Sequence, residues 1–180
     1  MKFRRIEAVF MKQIKDTLKN KTALIQFVLF PLLAFILTET IAKSDKFLPD
    51  NYFVLLFAIM YVGMVPAINT ASIITEEKEK NTLRILMLAN VRPLEYLIGV
   101  GSYVFIVSSI GAVAFGFIGG YSGAQLGLFI IVLMVGILGS LILGSTIGIF
   151  AKNSMSSAGL VLPVSMITAF LPMIASFNET

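Results

Sequence analysis

The sequence predicts an all-α integral membrane protein, a polytopic helix bundle with five spans in this chain and an N-terminal amphipathic helix. Three observations predict it. Hydrophobic residues fill 57% of the 180 positions and charged residues only 13%, with a mean hydropathy of +0.92, whereas a soluble domain carries roughly a quarter of its residues charged. The apolar runs, such as 27–37 and 126–138, are continuous and lack the alternation of a membrane strand. Lipid offers a backbone amide no partner, so runs of about 20 apolar residues satisfy their own hydrogen bonds as spanning helices.

Residues 1–21 form the first element. Phe3, Ile6, Phe10, Ile14 and Leu18 recur at three- and four-residue intervals, while Lys2, Arg4, Arg5, Lys12, Lys15, Lys19 and Lys21 supply positive charge. On a helix the apolar positions share one arc, and the basic residues up to Lys19 fall outside it, which suits a helix lying on an anionic leaflet. No small-residue cleavage site follows, so the segment does not read as a signal peptide.

Five spans follow at 22–41, 52–74, 94–118, 126–150 and 155–176, the whole chain forming a single transmembrane domain. Twelve basic residues fall on the N-terminal side: the seven above, Lys78, Lys80, Arg84 and Arg92 in the 75–93 loop, and Lys152. Only Lys43 and Lys46 fall on the other. The positive-inside rule therefore predicts a multi-pass protein of the cell membrane with a cytoplasmic N-terminus. It also absorbs the net charge of +4, leaving no reason to infer a nucleic-acid partner.

There is no cysteine and no histidine. Disulfides, thiolate metal sites and imidazole catalysis are thereby excluded, and no catalytic residue or metal-ligand set is assigned. A Gly-x-x-x-x-Gly-Lys-Ser/Thr loop is also missing, so the chain does not cradle nucleotide phosphates by that means. Within the spans and away from the charged loops the one acidic residue is Glu39, close to a span end, which disfavours proton coupling.

The 75–93 segment is the densest charge cluster after the N-terminus. Thr75 reads as an N-cap, with Glu76 and Glu77 in a first turn and Leu83, Leu86 and Met87 as a later apolar face. Pro93 then suits the first turn of the next span. On the residues alone the segment is either a solvated connector or a docking helix for a cytoplasmic partner.

The run Thr75-Glu76-Glu77-Lys78-Glu79-Lys80-Asn81-Thr82-Leu83, with Arg84-Ile85-Leu86 and then Val91-Arg92-Pro93-Leu94-Glu95, resembles the cytoplasmic segment of type 2 ATP-binding cassette (ABC) transporter permeases. Asn81 stands where glycine is more usual, and asparagine also suits a turn. The layout of the whole chain is similar, although the family pattern carries six spans. The resemblance implies a permease that couples to a separate ABC ATPase through Glu76, Glu77, Glu79, Thr82, Leu83, Arg84 and Leu86. It further implies a second permease copy or homologue, ATP and magnesium held by the ATPase, and no cofactor in this chain. The corresponding function is export of an amphipathic cargo across the lipid bilayer. The alternatives are an ion-coupled secondary transporter and a non-transporting scaffold or immunity protein.

Small residues repeat every four positions: Ser108, Ala112, Gly116 and Gly120 along the third span, and Gly136, Ser140, Gly144 and Gly148 along the fourth. Such stripes let helix backbones approach in lipid, and the short turn between the two spans predicts an antiparallel hairpin whose stripes touch. Pro66, Pro163 and Pro172 fall inside spans, where each removes a backbone donor and can bend a helix. Gln26, Asn69, Thr70 and Ser72 either face a pore or bond to a neighbouring helix.

Overall fold

The computed structural model describes residues 2–19, 21–42, 49 and 51–176. Lys43, Lys46 and the tail Asn178-Glu179-Thr180 lie outside the described residues. The elements in chain order are α1 (Lys2–Lys19), α2 (Lys21–Leu37) continued by a π-helical turn (Thr38–Ala42), α3 (Tyr52–Glu79), α4 (Thr82–Leu88), α5 (Pro93–Ile118), α6 (Gly123–Phe150) and α7 (Ser154–Ser176). Among the described residues five segments are long and apolar enough to cross a membrane: Leu24–Ala42, Tyr52–Glu79, Pro93–Ile118, Gly123–Phe150 and Ser154–Pro172. The protein is a polytopic helical membrane protein.

The bundle is organised around α3. Over half (56%) of its most apolar window is buried, against 17–39% in the other spans, and it touches α2, α5, α6 and α7 along its length. Tyr61 shows how: it is fully buried, packs edge-on against Phe30 of α2 and Phe115 of α5, and donates its hydroxyl to the Ser108 carbonyl at 3.2 Å. The remaining spans cover α3 with one face and leave the other apolar, as at Val132, Val135 and Ile142 of α6, which suits contact with acyl chains.

The stripe on α6 does not meet the stripe on α5. It lies on α3: a Cβ at Gly136 would come within 2.5 Å of Val62, one at Gly144 would collide with the Ala67 backbone, and one at Gly148 would meet Ala71 and Ile74. Ser108 and Ala112 of α5 are also fully buried, with Ser108 and neighbouring Gly111 turned to Tyr61 of α3, while Gly116 meets Leu126 of α6. The expectation of two touching stripes is therefore corrected. The hairpin exists and α5 packs directly on α6, with Gly116 against Leu126, but the α6 stripe itself is turned to α3. Gly120 is likewise not part of the third span: α5 ends at Ile118, and Gly120 takes φ +67 in the turn, a conformation in which glycine avoids a Cβ clash.

The helix α1 is amphipathic, yet its buried face is rotated from the predicted arc. Val9, Gln13 and Thr17 are buried, Phe10 and Ile14 are partly covered, and Phe3 and Leu18 are exposed. Val9 sits against Gly99 of α5, where an added Cβ would lie 2.7 Å from it. Arg5 pairs with Glu95 of α5 at 3.5 Å. The rotation follows from these contacts, because α1 docks on the bundle as well as offering apolar side chains outward.

Candidate functional site: the charged end of the bundle

One end of the bundle gathers α1, the last turns of α3, all of α4, and the ends of α5, α6 and α7. The sequence places a helix start at Thr75, and this is corrected. Thr75 is buried and its hydroxyl donates back to the Ala71 carbonyl at 2.8 Å, so α3 runs on through Glu79. Glutamate and lysine are good helix formers and continue a helix that emerges from lipid. The segment 75–93 thus splits into the tail of α3 and the separate short helix α4.

Two asparagines bracket α4. Asn81 (φ 56) breaks the chain from α3, and Asn90 (φ 64) closes α4; asparagine tolerates this left-handed region better than other side chains. At the second break the Asn90 N–H donates to the Met87 carbonyl at 3.0 Å and the Val91 N–H to the Leu86 carbonyl at 3.1 Å, the paired bonds of a Schellman stop. Arg92 is then extended, as a residue before proline prefers, and its N–H donates to Glu95 at 3.0 Å.

The faces of α4 are sharply different. Leu83, Leu86 and Met87 pack inward on the cluster of Val9, Ile74, Tyr96 and Val100. Ile85 and Leu88 point away, 64% and 79% exposed, beside exposed Arg84. Of the residues singled out in the sequence, Leu83 and Leu86 therefore anchor α4, Thr82 is half-buried, and Arg84 lies on the outer face. Ile85 and Leu88 lie within the 76–88 stretch that the resemblance marks for coupling, without being singled out in it. Their signal was the apolar residues left over once Leu83, Leu86 and Met87 are assigned to one side of a short helix.

The charged residues at the end of α3 serve different neighbours. Glu77, 6% exposed, accepts hydrogen bonds through one oxygen from the Lys12 ammonium and, at 2.5 Å, from the Gln13 amide of α1. Lys78 donates to the carbonyls of Gly148 (3.3 Å), Ile149 (2.8 Å) and Ala151 (2.6 Å), where the last turn of α6 lacks donors and its dipole favours a cation. Glu79 accepts from the N–H (2.8 Å) and hydroxyl (2.5 Å) of Ser154 at the start of α7. Glu76 pairs at 3.0 Å with Lys80, one turn on, and that hydrogen bond holds the exposed Lys80 ammonium above the ordinary lysine range. Consecutive residues 77, 78 and 79 thereby fasten three separate helices to α3.

Two cavities open beside this junction. One of about 770 Å³ lies between α1, α2 and α3, with Gln26, Asn69 and Ser72 among its lining residues; there the Asn69 amide donates to the Gln26 carbonyl oxygen at 3.0 Å. Thr70 instead turns its hydroxyl to the Pro66 carbonyl at 2.7 Å. The other cavity, of about 530 Å³, is mostly apolar and runs between α3, α4 and α5, bounded by Ile74, Met87, Tyr96 and Leu97. No group of three or more metal-ligating side chains is present among the described residues.

Comparison with known proteins returns one family. The model described as ABC-2 type transporter matches residues 4–177. No curated protein and no solved structure matches the chain.

Proposed function

From the premise that this chain belongs to the ABC-2 type transporter family, we propose that it is the membrane subunit of an ABC exporter, driven by a separate ATPase that docks on the charged end. Membership in the family makes it a transport subunit of the membrane. Export, the ATPase, the second permease copy and the cytoplasmic placement of the N-terminus are the proposal. The uneven distribution of lysine and arginine supports the placement.

The observation that carries the reading is the two-faced helix α4. An isolated seven-residue helix is unstable in water, yet this one is held by three inward apolar side chains and stopped at both ends by asparagine. Its outward Ile85 and Leu88 belong to no apolar cluster among the described residues. Exposed apolar residues beside a cation, on a rigid support, form the kind of surface that anchors a protein partner. Force applied there passes to α3 through the short link Lys80–Asn81 and through the inward packing of α4 on Ile74. ATP and magnesium would reside on the partner, and the amphipathic cargo would move without any bond in it being broken.

The experiment is ATP-dependent transport and co-purification of a nucleotide-binding subunit from the native membrane, compared for wild type and an Ile85→Asp/Leu88→Asp double variant. Loss of both with the chain still folded is the expected result. ATPase capture and transport at wild-type level in the variant would remove α4 from the coupling role. Transport that persists without ATP and collapses with an ion gradient would favour a secondary carrier instead.

A further inference from the structure

The apolar cavity beneath α4 lies at the open end of the α5–α6 hairpin. The two helices meet near their turn, where Gly116 faces Leu126. At the other end, where α5 begins and α6 finishes, both border a space of about 530 Å³ together with α3 and α4. Ile74, Leu83, Met87, Tyr96 and Leu97 give it a hydrocarbon wall, and the Tyr96 hydroxyl stands against Glu77 of α3. The volume falls within the roughly 300–1,000 Å³ of small-ligand pockets.

Depth decides which medium supplies an occupant. Ile74 lies one turn, about 6 Å, toward the membrane interior from Lys78 along α3, and Tyr96 and Leu97 stand in the first turns of the span Pro93–Ile118. Near the opening, Leu94 and Ile98 of α5 and Ile149 and Phe150 of α6 are exposed, which suits contact with acyl chains. The cavity therefore sits where the headgroups of a leaflet give way to its hydrocarbon.

Its charge is one-sided. Lys78 and Arg84 line it, and no carboxylate does; neither cation is in an ion pair among the described residues. The side chains outside the description at positions 1, 2 and 20–23 include no acid. Lys78 already gives its protons to three carbonyls at the end of α6, so it contributes charge rather than a free donor. Arg84 is exposed and keeps its planar fork of N–H groups, which matches a phosphate. Basic pockets between membrane helices on the cytoplasmic side suit anionic headgroups.

We propose that this cavity seats one acyl chain of an anionic phospholipid from the surrounding leaflet, with its phosphate on the Arg84 guanidinium and within the field of Lys78. A zwitterionic headgroup would bring another cation to a place that holds two and no acid. A protein partner would have to reach below the last charged turn of α3 to fill the same space, which favours lipid. The seated chain backs α4 from inside, opposite the outward Ile85 and Leu88. The inference does not rest on the exporter reading.

The test is lipid retention by the detergent-purified chain, read by native mass spectrometry. The mixture holds equimolar phosphatidylglycerol, phosphatidylethanolamine and phosphatidylcholine with identical acyl chains. Phosphatidylglycerol is expected to exceed each of the others by about fivefold or more, the weight of one or two cations near a membrane surface. Lysophosphatidylglycerol, with one chain, should compete for the site, and glycerol phosphate, with none, should not. Arg84→Gln should reduce the preference about fivefold, whereas Lys152→Gln, exposed at the same end but outside the cavity, should leave it unchanged. Leu97→Trp fills the cavity and keeps both cations; with monodisperse elution in size-exclusion chromatography as the check of folding, it should bring phosphatidylglycerol down to the level of phosphatidylcholine. Equal retention of the three lipids, equal losses in Lys152→Gln and Arg84→Gln, or full retention by folded Leu97→Trp would overturn the proposal, the last two by showing diffuse attraction of anionic lipid to a basic surface. No ATPase enters this assay, so its failure is separable from failure of the exporter reading.

Discussion

The Ser140 hydroxyl of α6 donates to the Val62 carbonyl of α3 at 2.6 Å. Val62 is the residue whose helical donor would be the N–H of position 66, and proline stands there. A neighbouring helix thus supplies the hydrogen bond that Pro66 removes, in a medium where water does not substitute. The flanking Gly136 and Gly144 bring α6 close enough for the short serine to reach.

Ser140→Ala should therefore lower stability by about 1 kcal/mol, the usual net worth of a hydrogen bond between membrane helices or somewhat more. In a Pro66→Ala background the loss should shrink, because the alanine N–H restores the helical bond to Val62. A double-mutant cycle on thermal unfolding in detergent measures the coupling; equal losses in both backgrounds would contradict this assignment of the serine.

Two glycines of α6 provide a matched contrast. An alanine Cβ at Gly144 collides with the Ala67 backbone, whereas at Gly139 it meets nothing within 4 Å. Gly144→Ala should destabilise by about 1–3 kcal/mol through forced separation of α3 and α6. Gly139→Ala should be neutral or slightly stabilising, since alanine is the better helix former. Similar melting temperatures for the two variants would refute the role of α6 as the close-packed cover of α3.

Charge reversal separates Glu76 from Glu77. Glu77→Lys places a cation against Lys12 in a buried site and should cost about 3 kcal/mol or more, seen as loss of the monodisperse peak in size-exclusion chromatography. Glu76→Lys breaks only an exposed one-turn pair and should leave that profile unchanged. Any transport defect in Glu77→Lys then reports the docking of α1, and only the Glu76 variant tests a direct acidic contact with the ATPase.

The two faces of α4 predict opposite phenotypes for neighbouring leucines. Leu86→Ala should destabilise by about 1–2 kcal/mol as the inward cluster loosens. Leu88→Ala, at a side chain almost wholly in solvent, should leave the melting temperature unchanged and weaken ATPase capture. Equal capture by both variants and wild type would place the partner elsewhere.

Much of the fold is legible in the sequence because hydrophobic length alone determines a span, and Pro93 and Asn81 mark real breaks. The end of α3 is not legible. Charge marks where a chain leaves lipid, but Glu76 to Glu79 are also helix formers, so the helix continues beyond the apolar run. Nor does a small-residue stripe identify its partner. Gly144 shows that a backbone comes close, and only the tertiary arrangement reveals Ala67 rather than the stripe on α5. In the candidate site, the acidic cluster was visible as a group while its division of labour was not, because Glu77, Lys78 and Glu79 point in different directions at 100° per residue and each meets a different helix.

The unbroken run of α3 from Tyr52 to Glu79 is about 42 Å of continuous helix in contact with every other span. A tilt imposed at one membrane surface is delivered to the opposite surface by the same rod, without relay through loops. Pro66 is the one joint at which that rod can flex, and Ser140 is the latch across it.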